Sequence, residues 1–185
     1  KLVKCASRSG ADFVKFQSFN VNNLVTNFAK KADYQIKNTR LKNETQYKML
    51  KKLELSNNQH LIIKEYCKSN DIAFLSTGFD IGSVLYLKKL GQKIFKIPSG
   101  EITNIPYLRV IGSFKKEIIL STGMSTLKEV ELAVKTLNKS GTKSKKITIL
   151  HCTTDYPASM KDINLKAIET IKKNFDCKVG YSDHS

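Results

Sequence analysis

Two lysines interrupt otherwise apolar runs. Lys15 lies within Phe13-Val14-Lys15-Phe16-Gln17, and Lys96 within Ile94-Phe95-Lys96-Ile97-Pro98. Read as strands, these runs alternate their side chains, so Lys15 shares a face with Phe13 and Gln17, and Lys96 with Ile94 and Pro98. Val14, Phe16, Phe95 and Ile97 take the opposite faces and suit packing against helices. An ammonium turned inward is costly unless it meets an anion or gives up its charge. Neither run carries a carboxylate. Hydroxyl groups recur at the ends of the apolar runs: Ser76-Thr77, Ser99, Ser121-Thr122, Thr153-Thr154 and Ser182. Two inward amines ringed by hydroxyls describe a site for a small, multiply charged anion. The competing reading is that each lysine reaches solvent along its own stem or pairs with a remote Glu.

Other residues at the same ends add chemistry. Gly100, after Lys96 and Ser99, lets backbone approach a ligand closely. Glu101 then stands where it can accept a proton or orient a hydroxyl, or simply offset Lys96. Ser121-Thr122-Gly123-Met124 is a hydroxyl and glycine turn before a helix, whose N–H groups can hold phosphate. Of three histidines, His60 reads as a solvent-exposed residue on a polar helix face. His151, within an apolar strand, reads as a core or supporting residue. His184 follows a strand end in Ser182-Asp183-His184, where a neutral imidazole can bind a divalent metal with Asp183 orienting it. One histidine alone does not define a metal site.

Six strands are expected to position these groups: Asp12–Gln17, Ala73–Thr77, Lys93–Pro98, Glu117–Thr122, Lys146–Cys152 and Cys177–Ser182. Each is short and rich in Ile, Val, Leu or Phe. Helices are expected between them over Thr45–Leu53, Ser56–Lys68, Gly82–Leu90, Pro106–Ile111, Thr126–Lys139 and Leu165–Phe175. Ser56 with Gln59, and Thr126 with Glu129, fit capping boxes. Phe19–Asn43 reads as a long irregular loop, a length usually reserved for lids or binding loops. The βαβα alternation implies parallel strands and right-handed crossovers. An open sheet concentrates ligand groups at one switch point, whereas a (β/α)8 barrel gathers them from nearly every strand around one mouth. The even spread of polar strand ends favours the barrel. Six strands make it incomplete, with strands 2 to 7 present across residues 1–185 and the segment before Gly10 ending the first helix.

The chain has 185 residues and a formal net charge of +16. Hydrophobic residues make up 41%, which suits a packed domain rather than a disordered one. No apolar run approaches the roughly 20 residues of a membrane-spanning helix. The basic residues are lysines apart from Arg8, Arg40 and Arg109. Without arginine clusters interleaved with aromatics, no nucleic-acid partner is expected, and no membrane partner either. Cys5, Cys67, Cys152 and Cys177 form no CxxC pair and read as buried free thiols in a reducing, cytoplasmic setting.

Six ordered segments carry a resemblance. They are Phe13–Ser18, Leu75–Asp80, Phe95–Asn104, Ile119–Met124, Leu150–Pro157 and Val179–His184. Together they resemble the sialic acid synthase family along essentially the whole chain. They are more similar to the bacterial legionaminic and pseudaminic acid synthase branches than to the N-acetylneuraminate branch, which more often has His in place of Phe16. The resemblance implies a TIM barrel and a transferase of carbohydrate biosynthesis. It implies condensation of phosphoenolpyruvate with an N-acetylated hexosamine, either N-acetylmannosamine or a diacetamido-trideoxyhexose. The products would be a nine-carbon 2-keto acid and phosphate. A divalent metal, Mn²⁺ or Mg²⁺, would polarise the sugar aldehyde.

By the same resemblance, Lys15, Thr77, Lys96, Ser99, Ser121 and Ser182 match phosphoenolpyruvate contacts. Gln17 and Glu101 match residues at the reacting centre, Tyr156 a sugar contact and His184 one of two metal-binding histidines. Several positions depart from the pattern. Gly78 stands where many members have Pro, which implies a looser turn. Thr154 replaces an Asn of the neuraminate branch, and Ser185 a common Thr. The family's first-strand Glu, its second metal histidine and its C-terminal antifreeze-like domain, which completes the partner's site in a swapped homodimer, are not among these residues. These 185 residues alone are therefore expected to be inactive. Two other readings compete: a Schiff-base aldolase with Lys96 or Lys15 as nucleophile, and a non-catalytic anion-binding module.

Overall fold

The computed structural model describes residues 1–185 and contains six parallel strands with helical connections. It divides into two compact units, residues 1–83 and 84–185.

In the first unit, α1 (Leu2–Arg8) leads to β1 (Phe13–Ser18), and α5 (Asn57–Lys68) leads to β2 (Ala73–Gly78). β1 and β2 pair in parallel, with Lys15 opposite Leu75 and Gln17 opposite Thr77. Val14, Phe16 and Phe74 pack against Val3, Cys67 and Ile72 of α1, α5 and the β2 entry. Alternation therefore puts Phe13, Lys15 and Gln17 on the face away from these helices, as the sequence predicts. Lys15 and Gln17 are exposed there, so Lys15 is not the desolvated amine that the pattern suggested. Ser56 and Gln59 form the expected capping box at the start of α5.

The segment expected as an irregular loop is instead partly helical. It holds α2 (Val21–Leu24) and α3 (Asp33–Thr39), followed by α4 (Gln46–Lys51). Lys31 organises it. Its side chain is buried, and Nζ donates to Thr39 Oγ1 (2.8 Å), the Leu41 carbonyl (2.6 Å) and Glu44 Oε2 (3.1 Å). A buried amine with three acceptors ties residues up to thirteen apart, which a periodicity reading cannot see. Lys52 also reaches Glu44, and the two amines hold its carboxyl below the usual carboxylate range.

In the second unit, α6 (Ile81–Lys89), which begins at the end of the first, leads into β3 (Ile94–Ile97). There follow α7 (Ile105–Ser113), β4 (Glu117–Ser121), α8 (Leu127–Ser140), β5 (Ile147–His151), α9 (Ala167–Asn174) and β6 (Lys178–Tyr181). The four strands form one parallel sheet in the order β3-β4-β5-β6. Ile97, Leu120, Ile147, Ile149 and Leu137 are fully buried in its core. α8 begins at a capping box of Thr126 and Glu129 and ends at Gly141, as its sequence signals. The Thr126 amide and hydroxyl hold the Glu129 carboxyl below its ordinary value. α9 starts two residues later than expected and leaves Leu165 exposed.

The thiols divide by position. Cys67 and Cys152 are buried, Cys177 is half-buried and Cys5 is exposed, so the expectation of four buried thiols fails at Cys5 and in part at Cys177. All four are free.

Candidate functional site

The richest cluster lies at the C-terminal ends of β3, β4, β5 and β6. Lys96 is buried, 8% exposed. Its Nζ donates to the Ser121 hydroxyl and to the Ile97 carbonyl. The register explains the first contact: Lys96 pairs with Ile119, so Ser121 lies one side-chain step further along the same face. Ser99 follows in a short 3-10 turn, Ser99–Glu101. Its Oγ accepts from the Gly123 amide at 3.0 Å and lies 3.4 Å from Cys152 Sγ. The hydroxyl that follows β3 thus meets a backbone N–H beyond β4 and the thiol that follows β5. Glu101 accepts from Asn104 Nδ2 at 2.7 Å, and Asn104 caps α7.

The end of β6 supplies a second group. His184 Nδ1 lies 2.6 Å from the Thr153 carbonyl, which fixes the proton on Nδ1. Nε2 is left as the acceptor, 3.1 Å from Ser182 Oγ. Tyr156 stacks on the imidazole, with centroids 4.4 Å apart. Asp183 does not orient this ring. Its carboxylate accepts from the Ser185 amide and hydroxyl, which hold it below its usual value, with Tyr181 OH at 3.4 Å. The orienting acceptor is a main-chain carbonyl, which side-chain identity does not reveal.

In the first unit, Gln17 and Thr77 are register partners on the face shared with Lys15. Thr77 is buried, and its Oγ1 has no hydrogen-bond partner. A buried, unsatisfied hydroxyl is costly and marks a place where a ligand group can bind. The strand runs on through Gly78, which is buried and pairs with Ser18, and the Phe79 amide donates to the Ser18 carbonyl. The turn after Thr77 therefore begins beyond Gly78.

His60 corrects another expectation. It is 2% exposed. Nδ1 lies 2.8 Å from the Ser56 carbonyl and Nε2 2.6 Å from Ser18 Oγ, which also contacts Ser76 Oγ at 2.7 Å. Ser18 follows Gln17 and Ser76 precedes Thr77, on the opposite face. The network braces both strand ends from behind. Replacing His60 with Leu should lower stability by about 1–3 kcal/mol, read as a shift in urea midpoint, because the buried Ser18 hydroxyl loses its acceptor and the Ser56 carbonyl its side-chain donor.

His151 stands on the helix-facing side, stacked on Tyr181 at 6.0 Å, and its buried Nε2 has no partner. Burial pushes its pKa below 6.5. The unfolded chain therefore takes up the proton first, and stability should decline as pH falls below 6.5 towards the folded-state value. His151→Phe should flatten that part of the urea-midpoint profile.

Comparison with known proteins decides the family. The model of the NeuB family matches residues 2–185. The chain belongs to the NeuB family. It is 54% identical over 185 residues to N,N'-diacetyllegionaminic acid synthase of Campylobacter jejuni and 49% identical over 187 residues to that of Legionella pneumophila. Both alignments cover all of this chain, and 55% and 52% of the respective relatives. The chain thus spans about half the length of the curated relatives it matches. The crystal structure of N-acetylneuraminic acid (sialic acid) synthetase from Leptospira borgpetersenii in complex with citrate superposes with a TM-score of 0.82 at 30% identity. That match covers 99% of this chain and 58% of the other. The fold is of the (β/α)8 barrel type. Among the relatives are also a pseudaminic acid synthase of Campylobacter jejuni, 31% identical over 185 residues, and N-acetylneuraminate-9-phosphate synthases at 30–31%.

Proposed function

We propose that the full-length protein condenses phosphoenolpyruvate with an N-acetylated hexosamine to give a nine-carbon 2-keto acid and phosphate. The observation that carries this reading is the buried Lys96 amine on the Ser121 hydroxyl, with the Ser99 hydroxyl and the Gly123 amide paired with each other at the ends of the same strands. Such donors suit the carboxylate or phosphate of a small polyanion. Lys15, Thr77 and Ser182 complete the proposed phosphoenolpyruvate contacts, with Gln17 and Glu101 at the reacting carbons and Tyr156 against the sugar. Identity of 54% and 49% to two N,N'-diacetyllegionaminic acid synthases, against 30% and 31% to two N-acetylneuraminate-9-phosphate synthases, favours the diacetamido-trideoxyhexose over N-acetylmannosamine as acceptor.

In the proposed reaction, C3 of phosphoenolpyruvate bonds to the sugar aldehyde carbon. Water adds at C2, and phosphate leaves with cleavage of its C–O bond. A fixed Lys96 charge opposes no reorganisation as the transition state forms. His184 fits a role as ligand to Mn²⁺ or Mg²⁺. Thr153 holds the Nδ1 proton, so the Nε2 lone pair is left for a metal once the Ser182 hydroxyl turns away. Bound there, the metal would polarise the aldehyde. This chain supplies no cluster of three His, Cys, Asp or Glu able to hold a metal. His184 would be one ligand of a set completed elsewhere.

The test uses the full-length protein with phosphoenolpyruvate, Mn²⁺ and candidate sugars. Mass spectrometry should find the nine-carbon keto acid of the diacetamido sugar. Exclusive turnover of N-acetylmannosamine would overturn the acceptor assignment, and no keto acid from any sugar would overturn the reaction. A cytoplasmic location belongs to the same reading, because phosphoenolpyruvate is a cytoplasmic metabolite.

A further inference from the structure

The charge of the second unit is polarised along its strands. Residues 84–185 contain eighteen Lys and Arg and nine Asp and Glu. The sheet is parallel, so all four strands begin at one end, and the helices that precede them end there. Each strand is entered through lysine: Lys93 before β3, Lys116 before β4, Lys146 before β5 and Lys178 at the start of β6. The last turns of α6, α8 and α9 bring Lys88 and Lys89, Lys139, and Lys172 and Lys173 to the same end. The connecting turns add Lys115, Lys143 and Lys145. Twelve of the eighteen cations therefore gather at the strand N-termini, with Glu117 and Asp176 as the two carboxylates. That end carries a formal +10, and the remainder of the unit −1.

All twelve lysines are exposed, and none forms an ion pair. Two make local contacts: Lys88 lies over the Phe114 ring, and Lys146 Nζ donates to the Lys115 carbonyl at 3.1 Å. The helix macrodipole accounts for lysines in last turns. It does not account for the seven in the turns and at the strand starts. Unneutralised like charges on one face repel each other, so their gathering is a cost to the isolated fold.

We infer that this face binds an anionic lipid surface. The chemistry of the face selects that partner. It is lysine throughout, so it offers diffuse point charges rather than the planar forks that read phosphate diesters. The unit's large exposed apolar side chains, such as Tyr156 and Met124, lie away from this end, so it has no platform for stacking bases. The ends of four adjacent strands and their helix layer make a blunt face on the order of 15 by 20 Å. A planar sheet of headgroups can engage all of it at once, and polybasic surfaces partition onto anionic leaflets in proportion to their charge. The strand C-termini, with Lys96 and His184, would then face away from the membrane. No helix is long and apolar enough to cross a membrane; peripheral binding needs none.

The test is co-sedimentation of the full-length protein with phosphatidylcholine vesicles, with and without phosphatidylglycerol, at low salt. Binding should require phosphatidylglycerol and be lost as the salt is raised. The variant Lys116→Gln, Lys143→Gln, Lys145→Gln, Lys173→Gln should bind at least about a hundredfold more weakly. The variant Lys128→Gln, Lys135→Gln, Lys161→Gln, Lys166→Gln removes the same charge from elsewhere in the unit and should bind nearly as wild type. No binding to phosphatidylglycerol vesicles overturns the inference. Equal losses in both variants overturn it too, because net charge alone would then suffice. So does a short RNA duplex that displaces the protein from vesicles at equal charge concentration, since that assigns the face to nucleic acid. Synthase turnover is expected to be unchanged in both variants, so this result stands or falls apart from the proposed reaction.

Discussion

Lys96→Met in the full-length protein should lower kcat/KM by roughly a hundredfold to a thousandfold, while leaving the fold at least as stable. The two effects have opposite causes. A fixed charge aimed at a developing anion contributes about 3 kcal/mol or more to the transition state, and each 1.36 kcal/mol is about tenfold in rate. For folding, the same buried charge is a burden. Lys96 is 8% exposed, and its amine is held by the Ser121 hydroxyl and the Ile97 carbonyl. Methionine keeps most of the volume and removes the desolvated charge, a relief that offsets the loss of a donor to the Ser121 hydroxyl and the Ile97 carbonyl. The measurement pairs steady-state kinetics with a urea midpoint. A large loss of stability with modest loss of rate would make Lys96 a structural residue. The experiment also separates the aldolase reading: borohydride with pyruvate should leave no covalent label at Lys96, because the proposed chemistry uses its charge and not its lone pair.

The parts of this molecule that were legible in the sequence are those set by neighbours in the chain. All six strands occur within about two residues of their expected bounds, because runs such as Ile147–His151 are short, apolar and flanked by turns. The two capping boxes were readable because both partners lie three residues apart. What could not be read depends on distant partners. His60 sits among Asn57, Asn58 and Gln59 and so looks like part of a solvated face, yet its partner Ser18 is forty-two residues away on β1. Lys31 looks like half of a loop's basic pair until Glu44 closes over it. Thr153 orients His184 through a carbonyl that any residue has. The lysines before the strands seem scattered along the chain, since they recur at the spacing of the βα unit, and only parallel topology brings them to one end. The candidate site itself was legible through Lys96 and Ser121, which alternation turns to one face of the sheet, and through Ser99 in the turn that follows β3. The tight fit around Gly123 was not.

That fit makes Gly123→Ala the most informative single substitution at the strand ends. A Cβ built there would lie 2.1 Å from Thr154 Oγ1, 3.0 Å from Ser99 Oγ and 3.2 Å from Cys152 Sγ. Thr154 is exposed and can rotate away. Cys152 is buried and cannot move far, so Ser99 must give way, and its Oγ loses the Gly123 amide. Overpacking of this kind costs about 1–3 kcal/mol of stability. Because Ser99 is a proposed phosphoenolpyruvate contact, KM for phosphoenolpyruvate should rise by roughly tenfold, the scale of one charge-assisted hydrogen bond lost, with KM for the sugar little changed. Gly100→Ala supplies the contrast. Nothing lies within 4 Å of its Cβ position, so the fold should tolerate it. Any loss of activity in Gly100→Ala would therefore report a ligand passing close to that backbone. If Gly123→Ala instead raised both KM values equally, Ser99 would not act on phosphoenolpyruvate alone, and the division of the strand ends into an anion side and a sugar side would fail.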